Sequence, residues 1–255
     1  MKEKSVGVAL GGGVVRGVAH VGALEALSEA GIPIDYVAGA SAGAIMGAFF
    51  CAGFSFAEIE YIASRIGWRD VARPVWPREG LVTFAPLEQL LRKLLGDIEF
   101  ADLEVPFAAV ATDLETGEPV ALREGPLAPA VRASSSVPGV VTPRRIGPWL
   151  LGDGALSNNL PVSVVREMGA DLVVAVDVFQ PSFIRGWGPL GRALSALEIL
   201  VNRSGSGIEE ADFLIQPALA GVSYLLFSQW KKLMRLGREA AQATIPAIQA
   251  ALAIA

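Results

Sequence analysis

Tyr36-Val37-Ala38-Gly39-Ala40-Ser41-Ala42-Gly43 runs from an apolar stretch into a sharp turn, and a second apolar stretch, Ala44 to Phe50, follows directly. Strand, tight turn, helix is the setting in which G-x-S-x-G forms a nucleophile elbow. Small flanking residues let the turn close and leave the serine hydroxyl exposed above the helix N-terminus. Ser41 is therefore a candidate nucleophile, with Gly39 and Gly43 as the glycines of the elbow. The alternative is a small-residue helix start whose serine only caps unpaired N–H groups. Other parts of the chain bear on the choice.

On both sides of that turn, short β-branched runs alternate with helical stretches, the pattern of an α/β fold whose parallel sheet is covered by helices on both faces. Ser5 to Leu10 is the predicted first strand, Gly11-Gly12-Gly13 a loop, and Gly17 to Ala30 a helix closed by Gly31. Helices are expected over Phe56–Ile66, Pro86–Leu95 with Gly96 as its end, Leu127–Ala133, and Val162–Met168 with Gly169 as its stop. Phe107–Ala111 and Pro119–Leu122 read as a strand pair around the turn-rich Asp113–Gly117, and Trp149–Leu151 as a brief strand. Leu172–Val178 is nearly all Val and Ala, which suits a central strand buried on both faces. Arg69–Glu79, with Trp68 and Trp76 close by, reads as a long loop or lid, and Gly186–Gly207 as a mobile piece. No internal repeat or linker stands out, and 255 residues suit one α/β domain.

Hydrophobic residues make up 52% of the chain and its mean hydropathy is +0.47, so membrane insertion has to be weighed. The uncharged stretch from Tyr36 to Ala57 is about long enough to span a bilayer. It is also rich in Gly, Ala and Ser and contains the elbow, so a buried strand and a buried helix in series are expected instead. Met-Lys-Glu-Lys before an apolar run imitates a signal peptide, but Arg16 and His20 interrupt it and no convincing cleavage site precedes them. A single cysteine, Cys51, allows neither an internal disulfide nor a cysteine metal cluster, and a cytoplasmic setting is the expectation. The net charge of −5 and the absence of a long basic run argue against nucleic acid as a partner. Any membrane contact would have to be peripheral and local.

Gly11-Gly12-Gly13-Val14-Val15-Arg16-Gly17 lies between a predicted strand and a predicted helix. Such a loop aims unpaired backbone N–H groups and a helix dipole at one point, which suits a phosphate or a developing oxyanion. A dinucleotide site is the rival reading. The strict G-x-G-x-x-G fails because position 16 is arginine, and no acidic residue ends the second strand, Asp35 lying before it. Asp153, between Gly152 and Gly154 after a short strand, can project a carboxylate from a turn; Asp177 is the second choice, and Asp113 and Asp171 read as turn or cap residues. A Ser, acid, His order needs a histidine after the acid, yet the chain's one histidine is His20, upstream of Ser41. His20 reads as a helix-face residue. What remains is a two-residue apparatus in which Asp153 takes the Ser41 proton and returns it to the leaving group.

A Gly-rich loop ending in Arg16-Gly17, then G-x-S-x-G, then Asp153-Gly154-Ala155, in that order, resembles the patatin-like phospholipase family. Val18-Ala19-His20-Val21-Gly22-Ala23-Leu24, Arg132-Ala-Ser-Ser-Ser-Val-Pro138 and Asn158-Asn159-Leu160-Pro161 extend the likeness. It covers residues from about 5 to 178 and leaves a C-terminal helical part, about 189–255, largely outside. The resemblance implies a three-layer α/β/α sandwich with a mainly parallel sheet and a Ser-Asp acyl hydrolase acting on lipid esters. It makes Ser41 the nucleophile, Asp153 the base, and the N–H groups of Gly12, Gly13 and Val14 the oxyanion hole, with no cofactor and no metal. Val14 stands where the family often has a third glycine. Arg16 and Gly17 support the loop, and Arg16 either braces it by bonding carbonyls or faces the anionic intermediate. Arg132, Arg144 and Arg145 are candidates for a lip that receives a phosphate headgroup, or are solvated. Leu226, Trp230, Leu233 and Met234 fall on one helical stripe and Lys231, Arg235 and Arg238 on another; such a helix either packs on the core or lies on a membrane. Trp68, Trp76, Trp187 and Trp230 either border an acyl groove or fill the core. The functional alternatives are a lipid-binding or regulatory protein that kept the pocket, and a nucleotide-dependent oxidoreductase.

Overall fold

Val6–Leu10 forms strand β1, and the computed structural model, which describes residues 4–180, 188–204 and 207–253, buries all five of its residues. The strands that follow are β2 (Tyr36–Ala40), β3 (Arg73–Pro74), β4 (Val82–Thr83), β5 (Phe107–Asp113), β6 (Pro119–Leu122), β7 (Arg144–Ile146), β8 (Trp149–Asp153), β9 (Leu172–Val176) and β10 (Phe213–Ile215). The main sheet runs β10-β9-β1-β2-β5-β8-β7, with β6 also paired to β5, while β3 and β4 form a separate antiparallel pair. From β10 to β5 every pairing is parallel, and β6, β7 and β8 pair antiparallel.

Period-two alternation sorts the strand side chains into two cores. Val8, Leu10, Val37, Ala109, Val174 and Val176 face one side, and Ala9, Ala38, Val110, Val173 and Ala175 the other. The first face is covered by α1 (Ala19–Glu29), α2 (Ala42–Cys51), α3 (Phe56–Arg65), α5 (Ala85–Leu95), α6 (Leu127–Ser134) and α11 (Trp230–Ala253), and the second chiefly by α8 (Val162–Met168). Short helices α4 (Trp68–Val71), α7 (Ala155–Asn158) and α10 (Gly207–Glu210), and the longer α9 (Gly188–Arg203), complete the chain. This is the expected α/β sandwich. Among the described residues no helix is long and apolar enough to cross a membrane.

Several boundaries differ from the sequence reading. Residues 14–18 form a 3-10 turn and α1 starts only at Ala19, because Gly17 must lie flat against α2: a Cβ there would sit 2.4 Å from that of Ala42. Within Arg69–Glu79 the chain makes the end of α4 and strand β3 before it loops. Leu172–Val178 ends as a strand at Val176 and lies second from the edge, covered by the three-residue β10. The described part of Gly186–Gly207 is largely helix α9, and residues 186, 187, 205 and 206 lie outside the described residues. The C-terminal part is not purely helical, since β10 joins the sheet. Leu226 precedes α11 in extended backbone, so it does not share the stripe of Leu233 and Met234, which is buried.

Candidate active site

Register on β5 brings Ser41 and Asp153 together. Residues Phe107 to Val110 of β5 pair with β2, ending at Ala40 opposite Val110. The other edge of β5 is taken by β6 from Ala109 to Thr112. A strand has two edges, so β8, which pairs Asp153 with Ala111, occupies the edge that β2 has just vacated. Ser41 follows Ala40, and the two side chains come from chain ends that meet head on over adjacent residues of one strand.

The geometry at that junction is closed. Ser41 Oγ donates to Asp153 Oδ2 at 2.7 Å, and Asp153 Oδ1 accepts the Ala155 N–H at 2.9 Å. Both residues are buried, Ser41 at 8% exposure and Asp153 at 3%. Ser41 adopts φ 53, ψ −118, a left-handed conformation that costs a non-glycine residue energy and lifts its hydroxyl out of the turn. Gly43 is required beneath it: a Cβ there would lie 2.1 Å from the Leu10 carbonyl oxygen. Burial pushes the Asp153 carboxyl up to about 6, opposed by the bonds from Ser41 and Ala155 that favour its ionised form.

Three serines whose individual roles the sequence did not disclose hold the pair in place. Ser134 Oγ accepts the Ser41 N–H at 2.9 Å and donates to the Val110 carbonyl, while Ser135 Oγ donates to the Ser41 carbonyl at 3.3 Å. The Ser136 carbonyl accepts the Asp153 N–H. Thr112 Oγ1 donates to the Asp153 carbonyl at 2.8 Å. The run Ser134-Ser135-Ser136 was the visible signal; its partners lie too far along the chain to be read from it.

The Gly-rich loop follows β1, one strand over from the elbow, and a Cβ on Gly12 would sit 3.3 Å from that of Ser41. Of the three N–H groups expected in an oxyanion hole, that of Gly12 is already donated to Asn159, to its Oδ1 at 3.1 Å and its carbonyl at 3.4 Å. Those of Gly13 and Val14 have no acceptor among the described residues. Val14 takes φ 52, rare for a β-branched residue, and lines the pocket with Ser41. Arg16 turns its side chain away from Ser41 towards backbone carbonyls. Its guanidinium donates to the Val222 and Gln180 carbonyls and lies 3.6 Å from the centre of the Tyr224 ring. Desolvation lowers its pKa and raises that of Tyr224 to about 12.

His20 is fully buried, with Nε2 bonded to the Gly11 carbonyl at 2.8 Å, and burial holds it down at about 4. It is packed under the loop and makes no hydrogen bond to Ser41 or Asp153. Asp177 lies at the end of β9, bonded to Phe179 N–H and Gln216. Asp113 accepts from Glu115 and Thr116 in its own turn, and Asp171 accepts from Ser5, as turn and cap residues do. Of the two readings of these arginines, Arg145 fits the solvated one, paired with exposed Glu115, while Arg132 and Arg144 both pair with the buried Glu88. Glu88, unmarked in the sequence, spends those charges inside the protein.

An apolar pocket opens beside Ser41, walled by residues such as Val18, Ile45, Phe49, Leu87 and Leu91, with Ser41 and Ser135 as its hydroxyls. Its volume of about 130 Å³ is near that of an apolar cavity of roughly 150 Å³ that holds benzene. Trp68 and Phe227 stand in its wall, ring centres 5.3 Å apart, whereas Trp76 is exposed to solvent. Trp230 packs partly buried against the core, and Trp187 lies outside the described residues.

Residues 8–166 match the profile of the family described as patatin-like phospholipase. The chain is 36% identical to the uncharacterized NTE family protein Rv1063c of Mycobacterium tuberculosis, over 68% of this chain and 49% of that protein. With the uncharacterized NTE family protein Rv2565 of the same organism it shares 31% identity over 96% of this chain and 47% of that one. The rat patatin-like phospholipase domain-containing protein 7 matches at 35% identity, over 68% of this chain and 14% of its own length. The chain thus spans about half, or less, of the length of these curated relatives. Among solved structures, VipD from Legionella pneumophila superposes with a TM-score of 0.56 at 13% identity, over 97% of this chain and 67% of that one, a likeness of fold alone. On the match across 8–166 and on identities above 30%, the chain belongs to the patatin-like phospholipase family.

Proposed function

We propose that this protein is a serine acyl hydrolase that cleaves carboxylic esters of phospholipids or lysophospholipids through an acyl-Ser41 intermediate. The observation that carries the reading is the 2.7 Å bond from Ser41 Oγ to Asp153 Oδ2 beside an apolar pocket. Asp153 takes the proton as Ser41 Oγ attacks the ester carbonyl, and passes it to the departing alcohol oxygen as the acyl-serine forms. A water molecule then attacks the acyl-serine carbonyl, giving a proton to the same carboxylate, which returns it to Ser41 Oγ as the fatty acid leaves. A carboxylate is a weak base for this task, and burial that raises Asp153 to about 6 brings it towards the working range.

The negative charge that develops on the carbonyl oxygen is received by the N–H groups of Gly13 and Val14, which have no acceptor among the described residues. Gly12, whose N–H is held by Asn159, shapes the loop rather than donating. The wall of the pocket offers no charged group, so it takes the acyl chain and leaves the headgroup outside. A panel of short p-nitrophenyl esters, lysophospholipid and diacyl phospholipid tests the assignment. Wild type should release fatty acid from at least one phospholipid, and Ser41→Ala and Asp153→Asn should each lose about a thousandfold or more, nearly equally, because the pair acts as one unit. Asp153→Asn retaining most of the rate would move the base elsewhere.

A further inference from the structure

Leu225 and Leu226 are 54% and 50% exposed, a cost that a protein of this kind has no folding reason to bear side by side. They adjoin two residues of the Ser41 pocket wall, Trp68 and Phe227. The Leu225 carbonyl accepts from Trp68 Nε1 at 2.9 Å, and Trp68, itself exposed, meets Phe227 edge on in the pocket wall. Val14, at 42% exposure, adds a further apolar group to the same wall. The pocket of the candidate nucleophile is therefore bordered by exposed leucine, tryptophan and valine.

Charge in the two segments that meet at the Trp68–Leu225 bond runs against that of the whole chain. Residues 61–73 and 225–232 hold five cations, Arg65, Arg69, Arg73, Lys231 and Lys232, against one acid, Asp70, in a protein of net charge −5. All five cations are exposed, and none has a carboxylate within 4 Å among the described residues. Asp70 is occupied by the Gly67 N–H. Arg65 and Lys231 lie over the rings of Tyr61 and Trp230, so their charges sit next to aromatic groups suited to a membrane interface. The stripe of α11 cannot serve instead: Leu233 and Met234 are buried, and Arg238 is bound by Glu25 and Glu29 of α1.

We propose that this face docks on an anionic lipid bilayer, with Leu225, Leu226 and Trp68 entering the headgroup boundary and Arg65, Arg69, Arg73, Lys231 and Lys232 resting on anionic headgroups. The face is tied to the reaction site by hydrogen bonds. Val15 donates to the Tyr224 carbonyl and Arg16 to that of Val222, so the segment that meets lipid also fixes the loop bearing the Gly13 and Val14 N–H groups. The inference rests on the Ser41 pocket being a lipid-ester site, and docking is measured apart from turnover to keep the two separable.

The test uses the whole chain carrying Ser41→Ala, sedimented with vesicles of phosphatidylcholine alone or with phosphatidylglycerol added. Binding is expected to the anionic vesicles, weaker to the neutral ones, and falling as salt rises from 0.1 to about 0.5 M. Adding Leu225→Ser with Leu226→Ser, or Lys231→Glu with Lys232→Glu, should each weaken it about tenfold or more. With Ser41 intact, the lysine pair should hydrolyse a short soluble p-nitrophenyl ester as wild type does. Equal binding by the leucine pair, no sedimentation with anionic vesicles, or self-association that the leucine pair abolishes would overturn the docking face. Vesicle binding without hydrolysis of any ester would overturn the hydrolase assignment and leave docking standing.

Discussion

Val14 carries a conflict that single-residue physics can size. A β-branched side chain at φ 52 costs about 1–3 kcal/mol, whereas glycine there would give up about 0.5–1 kcal/mol of chain entropy. Backbone strain outweighs the entropy. Val14→Gly should therefore raise stability by about 1 kcal/mol, read as a higher midpoint in thermal unfolding; a lower midpoint would mean that the valine's contacts in the pocket wall outweigh its backbone. Asp153 gives a pH signature. Its carboxyl titrates at about 6 and must be ionised to accept the Ser41 proton, so kcat/KM on a soluble ester should climb as pH rises through about 6 and level off above it. A profile flat from pH 5 to 8 would assign the proton to another group.

Between α1 and α11 the backbones nearly touch. A Cβ on Gly22 would lie 1.9 Å from the Met234 carbonyl oxygen, and one on Gly237 1.9 Å from that of Ala19. Gly22→Ala or Gly237→Ala forces these helices apart and should cost about 1–3 kcal/mol in denaturant unfolding, with the hydrolysis rate of the folded fraction unchanged. That crossing was illegible in the sequence because it joins residues more than two hundred positions apart. The elements themselves were legible where pattern was local: β1, β2, α3, α5 and α8 lie where apolar periodicity and glycine stops put them. Short or non-local pieces were not. β10 has three residues and exists because β9 offers it an edge, and α9 occupies a stretch whose glycines and serines suggested mobility. In the site, Ser41, Asp153 and the Gly-rich loop stood out by motif. Glu88's capture of Arg132 and Arg144, Asn159's hold on Gly12, and the serine cradle at 134–136 depended on contacts no spacing encodes.

Across the whole molecule, two buried titrating groups oppose each other. His20 falls from 6.5 to about 4 on folding, so the unfolded chain binds more protons between those values and stability rises with pH there. Asp153 moves from 3.8 to about 6, so the folded chain binds more protons and stability falls as pH rises through the same window. The two contributions largely offset between about pH 4 and 6. Asp153→Asn removes one, so its unfolding free energy should climb more steeply with pH over that range than wild type's, and at pH 8 it should be more stable by up to about 3 kcal/mol. Parallel curves for the two proteins would deny that a charge is buried at 153. The chemistry proposed for the molecule turns on Ser41 being the group that Asp153 activates, and covalent trapping with a fluorophosphonate, followed by intact mass and peptide mapping, reads that directly. One adduct on Ser41 is expected in wild type, formed far more slowly in Asp153→Asn and absent from Ser41→Ala. An unmodified wild type, or an adduct on any other residue, would contradict it.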